Sequence, residues 1–393
     1  MRILFAALSY PPAIGGAQYN LHCLAKTMKN MGHEVSIINQ VSDVRTDWLV
    51  AATIGSGCAK KYEYEGINVS QLGFSLGTRA RMLPWVVCYY LMMGTVIKRI
   101  SGYMLPYFVA SAGWPSVVHA TRIGREFIVR TAMDFAHDHR LPFALTPVHH
   151  ARWRGYPYGE YDKIYREADC IFALTEAEKE ILILEKGVAA GRIHVTGIGP
   201  VLAERYSAEY FREKFGIKER FVLFLGQQYR YKGIGAILQA AQIVWKKDPD
   251  IKFVFIGPPM NDSRKLFHNL KDRRVVNLGA VDLETKTSAL AACEFLCMPS
   301  TQESFGGVYV EAWSLRKAVI GGRIPPIACL IDHEKDGLLS SQNPNELAEA
   351  IAFLLGHSSC SDAMGNAGWK KVQEKYTWDR LAKKTLGVYK EIS

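Results

Sequence analysis

The sequence predicts an α/β protein of two parallel-sheet halves, and three observations carry that reading. At 393 residues the chain is too long for one comfortable core, so two domains are the default. Short apolar runs that read as buried strands alternate with helix-length segments twice, over residues 2–196 and again from 221 onward. Between them, Gly197-Ile198-Gly199-Pro200 punctuates the chain as a hinge. Two Rossmann-like halves, 1–200 and 201–375, follow, with a terminal helix over 376–393.

The first half opens with an apolar strand at 2–8. A loop, Ser9 to Gln18, carries the pair Gly15-Gly16, and a helix near Ala17–Met31 is stopped by Gly32 before a second strand at Glu34–Asn39. The dinucleotide fingerprint G-x-G-x-x-G is absent from this βαβ opening, which argues against a nicotinamide enzyme. Residues 66–125 contain no Asp or Glu but do contain Arg79, Arg81, Lys98, Arg99, Arg122 and Arg125. Within them, Met82–Ile97 is an apolar run shorter than the ~20 residues of a membrane span and interrupted by Pro84. It reads either as an interfacial patch for anionic lipid or as a buried helix with solvated basic ends. Strands at Pro115–Ala120 and Leu141–His150 place His119 and His149 at carboxyl ends, the edge where open α/β sheets bind ligands.

The second half starts with Phe221–Leu225 and the loop Gly226–Gly233 (G-Q-Q-Y-R-Y-K-G), which puts Arg230 and Lys232 at a strand end, where cations suit a diphosphate. Strands at Lys252–Gly257, Val275–Leu278 and Glu294–Met298 continue the pattern. Then comes the stretch around which the chain is organised, Met298–Leu315, with Glu303 and Glu311 eight positions apart. A helix from about Gly307 leaves Glu303 in the loop and sets Glu311 about one turn inside. Gly306 and Gly307 let a ligand approach the backbone, and the free N–H groups of the helix start attract an anion. A phosphate cradle beside two hydroxyl-binding carboxylates is what a sugar nucleotide requires.

Composition narrows the partners. Hydrophobic content of 49% and charged content of 22% are ordinary for a soluble enzyme, whereas a net charge of +10 points to an anionic partner. Nucleic acid fits the charge alone, because the basic residues form no aromatic-interleaved motif. The eight cysteines are scattered and read as buried free thiols in a reducing compartment rather than metal ligands. Asp248-Pro249-Asp250 lies at the amino end of a strand, away from the ligand edge, and reads as a turn, so no metal ligands and no cofactor are expected.

Taken together, the Gly15-Gly16 loop, Leu24–Val35, Val117–Ala120, Phe221–Gly233, Phe255-Ile256-Gly257, the E-x7-E segment, the Asp336-Gly337-Leu338-Leu339 turn and the terminal Y-T-W-D-R-L run resemble a retaining glycosyltransferase of the GT-B fold, family 4. The resemblance covers nearly the whole chain. It implies an acceptor-binding N-terminal domain facing a donor-binding C-terminal domain across a cleft, with the last helix crossing back. It implies that the nucleotide-sugar donor meets Gly16, Gln227, Arg230, Lys232, Gly257, Ser304, Phe305, Gly306, Gly307, Val308 and Glu311. Of the catalytic candidates, Glu303 would sit near the transferred sugar's hydroxyls, Lys232 would neutralise the diphosphate and His119 or His149 would face the reacting sugar, with Glu311 on the ribose. The chain departs from the family at Gln227, where an Arg is usual, and near Cys329, where an acidic residue is usual. Metal-independent transfer with retention to a sugar, lipid-linked or glycolipid acceptor is expected, in the cytoplasm or on the inner face of the membrane through residues 79–125. A sugar-nucleotide 2-epimerase of the same fold, or a non-catalytic binding subunit, is the alternative.

Overall fold

The computed structural model describes residues 1–7, 10–11, 16–40, 53–75, 114–121, 126–146, 164–268 and 270–393. His149, Gly15 and the apolar run Met82–Ile97 lie outside them. In chain order the elements are β1 (Arg2–Ala7), α1 (Gly16–Asn30), β2 (Glu34–Gln40), β3 (Thr53–Tyr64), β4 (Ile67–Ser75), β5 (Val117–Thr121), α2 (Glu126–Asp138), β6 (Phe143–Thr146), β7 (Cys170–Ala173), α3 (Glu176–Leu184) and β8 (Ile193–Val195). They continue with α4 (Ala208–Phe215), β9 (Phe221–Leu225), α5 (Ile234–Val244), β10 (Lys252–Ile256), α6 (Asn261–His268), β11 (Val275–Gly279), α7 (Leu283–Ala292), β12 (Leu296–Met298) and α8 (Gly307–Ser314). The remainder is β13 (Val319–Gly322), α9 (Pro325–Ala328), β14 (Leu338–Ser340), α10 (Pro344–Gly356), α11 (Ser358–Lys371) and α12 (Trp378–Ile392).

Two compact units result. Unit 1 comprises Met1–Ala173, Lys179–Thr196 and Trp378–Ser393; unit 2 comprises Leu174–Glu178 and Gly197–Thr377. The sheet of unit 1 runs β3-β4-β2-β1-β5-β6-β7-β8 and is parallel except for β3, which pairs antiparallel with β4 at its edge. The β3–β4 hairpin was not anticipated from sequence. Its two-residue turn, Glu65-Gly66, has positive φ at both positions, 45° and 80°, as a type I′ turn demands. Glutamate is a poor occupant of that conformation, which is why the turn carries no local signal.

Strand alternation divides the core of unit 1 into two layers. Val118 and Ala120 face one side with α2, while Val117 faces the other with Phe5, Ile37, Phe172 and Ala382, Leu386 and Tyr389 of α12. The last helix thus completes the core of the unit in which the chain began. His119 belongs to this second layer, and here the structure corrects the sequence reading. β5 continues to Thr121, so His119 sits mid-strand and buried, not at a carboxyl end. Its Nδ1 pairs with the Tyr389 hydroxyl and its Nε2 with Thr146 Oγ1 at 2.9 Å, between the rings of Phe5 and Phe172. Burial lowers its pKa from 6.5 to about 3, so the ring is neutral.

Unit 2 is a wholly parallel six-stranded sheet in the order β11-β10-β9-β12-β13-β14. Strands covered on both faces should be apolar throughout, and Phe221–Leu225 is buried at every position.

Two outcomes follow from the His119 anchor. Tyr389→Phe leaves a buried ring nitrogen without its partner and should weaken unit 1 by about 1–3 kcal/mol, read from hydrogen exchange of β5 and α12 amides. Below pH 6.5 the unfolded chain binds a proton at His119 that the folded chain refuses until about pH 3. Stability should therefore fall as the pH drops through this window, by up to about 1.4 kcal/mol per unit from this group. His119→Gln should flatten that slope.

Candidate functional site

Numbered from its first strand, the sheet of unit 2 has the order 3-2-1-4-5-6, with the direction of winding reversing between β9 and β12. The loops leaving the carboxyl ends of those two neighbours must diverge, and the crevice between them is where open α/β sheets hold ligands. The first loop is Gly226–Gly233, the second Pro299–Gly306. The structure brings together across it the two charged residues singled out above. The Lys232 ammonium pairs with Glu303 Oε1, and their side chains are only 15% and 12% exposed. Arg230–Lys232 form a single 3-10 turn that lifts Lys232 toward the second loop. Gln342 fastens both loops by donating to the Tyr231 carbonyl at 2.9 Å and the Pro299 carbonyl at 2.8 Å. Tyr229 and Tyr231 stack with centroids 5.2 Å apart. Burial, with the negative charge of Glu303 beside it, pushes the Tyr231 hydroxyl up to about 12.

The second loop ends on Gly306, left-handed at φ 80°, which turns the chain into α8 with no side chain capping the helix start. A Cβ there would lie 2.4 Å from the Tyr309 ring, so the site requires glycine. Tyr309 in turn donates to the Met298 carbonyl at 2.6 Å, tying the first turn of α8 to the end of β12. Ser304 and Phe305 are buried; Phe305 packs edge-on against Tyr376, so this loop presents backbone rather than a phenyl ring. Gly307 and Val308 start the helix and are partly exposed.

Glu311 lies one turn into α8 and is 8% exposed. Its Oε1 accepts from Lys286 of α7 at 2.8 Å, and the same ammonium donates to the Val201 carbonyl at 2.6 Å. Its Oε2 is buried and has no hydrogen-bond partner. A buried acceptor left so is uncommon and calls for a partner.

Of the remaining candidates, three stand in unit 2 and one in unit 1. Gly257 follows β10, with its ideal Cβ position 2.0 Å from the Gly226 carbonyl, so it lets two strand ends meet. Gln227 and Arg230 are exposed on the first loop. Gly16 is the exposed first residue of α1, in unit 1. Among the described residues no three His, Cys, Asp or Glu side chains gather as a metal set. Asp248 reaches Arg220 at 3.9 Å and belongs to a surface turn.

Three residues escaped the sequence reading. Gln228, beside Gln227, is fully buried and donates to Asn277 Oδ1 at 2.6 Å, joining the ends of β9 and β11. Tyr309 reads as a core aromatic. Lys286 reads as a solvated charge, although it stands alone in T-K-T-S-A-L-A-A, a helix segment whose Thr285, Thr287 and Ser288 are all buried. A lone cation in such a run was the available signal.

Residues 219–357, within unit 2, match the family described as Glycosyl transferases group 1. Over 99% of its length the chain is 23% identical to an uncharacterized glycosyltransferase of Methanocaldococcus jannaschii, of which it covers 98%. A second glycosyltransferase of that organism is 30% identical over 44% of the chain and 48% of its own length. The D-inositol 3-phosphate glycosyltransferase of Corynebacterium urealyticum is 26% identical over 58% of each. Among solved structures, Anabaena HepE in complex with UDP-glucose superposes with a TM-score of 0.71 at 18% identity, covering 99% of this chain and 100% of the other. A glycosyltransferase of Rickettsia africae gives 0.71 at 16% identity, over 100% and 98%. The chain therefore has the GT-B architecture of two Rossmann-like domains.

Gly257 and Gly235 provide a paired test of the crevice packing. Gly257→Ala meets carbonyl and should cost about 1–3 kcal/mol or more in thermal unfolding. Gly235→Ala, in α5 with open space around its Cβ position, should be neutral or stabilising by about 0.5–1 kcal/mol.

Proposed function

We propose that the protein is a glycosyltransferase that moves a sugar from a nucleotide-sugar donor to an acceptor hydroxyl with retention of configuration and without a metal ion. One observation carries the reading: in unit 2 the loop that holds Glu303 against Lys232 leads directly into the uncapped start of α8, one turn ahead of Glu311, whose buried Oε2 has no partner. This order of groups suits a nucleoside diphosphate sugar. Glu311 accepts from the ribose hydroxyls, the backbone of Phe305, Gly306 and Gly307 lies along the diphosphate, and Glu303 accepts from a hydroxyl of the transferred sugar. The relatives named glycosyltransferases, and the HepE complex with UDP-glucose, support the same class of donor.

The chemistry follows from charge. When the bond from the anomeric carbon to the diphosphate oxygen breaks, negative charge grows on the departing phosphate. Lys232, with Arg230 on the same turn and the α8 N–H groups, offsets that charge, the part a bound cation would otherwise play. The acceptor oxygen forms its new bond on the face the phosphate leaves, and its proton passes to the departing phosphate. No carboxylate is placed as a nucleophile in this scheme. His119 takes no direct part, because both its ring nitrogens are engaged in the core of unit 1. Unit 1 carries the acceptor, whose polysaccharide, glycolipid or lipid-linked nature belongs to this proposal. No helix among the described residues is long and apolar enough to cross a membrane.

A thermal-shift panel of UDP-, GDP-, ADP- and TDP-glucose, each with and without EDTA, tests the donor site. One base should raise the transition, by about 2.7 kcal/mol of stability at a hundredfold excess over Kd, and EDTA should leave it unchanged. No shift with any donor would overturn the reading. With the donor known, Lys232→Ala should lower kcat about 10²–10³-fold, and undiminished turnover would remove its assigned role.

A further inference from the structure

We infer that Lys286 is the positioning residue that makes Glu311 selective for a ribose diol; the inference rests on the proposed donor site and adds to it the residue that sets one of its specificities. A carboxylate can share both oxygens with a cation or turn freely between partners. Here neither happens. The Lys286 ammonium engages Oε1 alone, at 2.8 Å, and is itself held by the Val201 carbonyl at 2.6 Å. Its backbone is fixed as well, one turn into α7, whose start is capped by Asp282 accepting from the Thr285 amide at 2.6 Å. The carboxylate is therefore clamped at one oxygen, and the other, Oε2, is enclosed with nothing donating to it.

A pair serving only packing would leave no such oxygen, since a buried polar atom without a partner is a net cost to the fold. The arrangement is what selective recognition requires. One oxygen is pinned by a fixed charge, and the other is left without a donor, so that a ligand hydroxyl would satisfy it and a ligand lacking the hydroxyl would leave it unpaired. Lys286 need not touch the ligand; it acts through Glu311. The surroundings fit that role, because the flanking Thr285, Thr287 and Ser288 are neutral and buried and bring no second cation to the carboxylate from α7.

The test uses the full chain and isothermal titration with UDP, GDP and ADP and their 2′,3′-dideoxy counterparts. Wild type should bind the ribo form of its preferred base about tenfold or more tightly than the dideoxy form, the discrimination that one lost hydrogen bond to a charged group brings. Lys286→Met should collapse that ratio to within about threefold while leaving the dideoxy affinity nearly unchanged. Lys286→Arg, which can still donate to both Glu311 and Val201, should restore most of it. Lys286→Gln keeps a donor for the Val201 carbonyl without the charge; it should lose the discrimination and serves if the Met variant does not fold. Equal weakening of ribo and dideoxy forms would mean a structural role only and overturn the inference, as would an unchanged ratio in both Met and Gln variants. If wild type binds a nucleoside diphosphate without preferring the ribo form, the assignment of Glu311 fails and the inference with it. If it binds none, the donor site itself fails.

Discussion

Everything at the candidate site depends on a topological constraint: β9 and β12 are neighbours in the sheet although seventy residues of chain separate them. Two adjacent parallel strands whose connections leave in opposite directions cannot cover the gap between their own carboxyl ends. Into that gap the sequence sends one cation from the first loop and one carboxylate from the second, and Lys232 and Glu303 meet there with little water around them. Breaking such a pair by removing one member costs about 3–5 kcal/mol, mostly as the penalty of the charge left behind. The two loops are consequently fixed relative to each other before any ligand arrives. Gln342 reinforces this by bonding a carbonyl on each.

Much of that arrangement was legible because unit 2 is built by local rules. Its central strand β9 is an unbroken buried apolar run, its loops carry glycine at the turns that need it, and α8 begins where Gly306-Gly307 said it would. What stayed hidden was the pairing of side chains between helices. Nothing local to T-K-T-S indicates that Lys286 will lie against Glu311, twenty-five residues on, because that contact is set by how α7 and α8 pack on the sheet. The amide pair Gln228–Asn277 was hidden for the same reason, since nothing in the loop around Gln228 or the strand around Asn277 indicates that the two will meet.

Unit 1 shows the opposite failure. His119 carried a clear local signal, an apolar strand ending in histidine, and the signal misled. Two more strand residues follow it, Ala120 and Thr121, and the decisive partner, Tyr389, comes from the last helix of the chain. Burying an imidazole is tolerable only if both nitrogens find partners and the ring stays neutral, and Tyr389 and Thr146 meet both conditions. The histidine thereby ties α12 to the sheet of unit 1. Long-range closure of this kind leaves no trace in spacing or periodicity. The hairpin β3–β4 was missed more simply, because Glu65 occupies a left-handed turn position that sequence rules reserve for Asn, Asp or Gly.

The bare Oε2 of Glu311 is the point where fold and proposed chemistry pull against each other. An enclosed acceptor without a donor costs about 1–3 kcal/mol, a noticeable share of the 5–15 kcal/mol that a domain holds in total. Packing does not account for it, since the carboxylate is held by Lys286 at one oxygen only and the other is enclosed without a partner. A structure that retains such a cost while holding the other oxygen of the same carboxylate in place has its recognition geometry assembled in advance. On the proposed reading, the ordering that a flexible carboxylate would undergo on binding has already been done by the fold, and the cost would be recovered by a ribose hydroxyl of the donor. The unpaired oxygen is, on that reading, kept in unit 2 for binding, on a helix tied to the sheet by Tyr309 donating to the Met298 carbonyl.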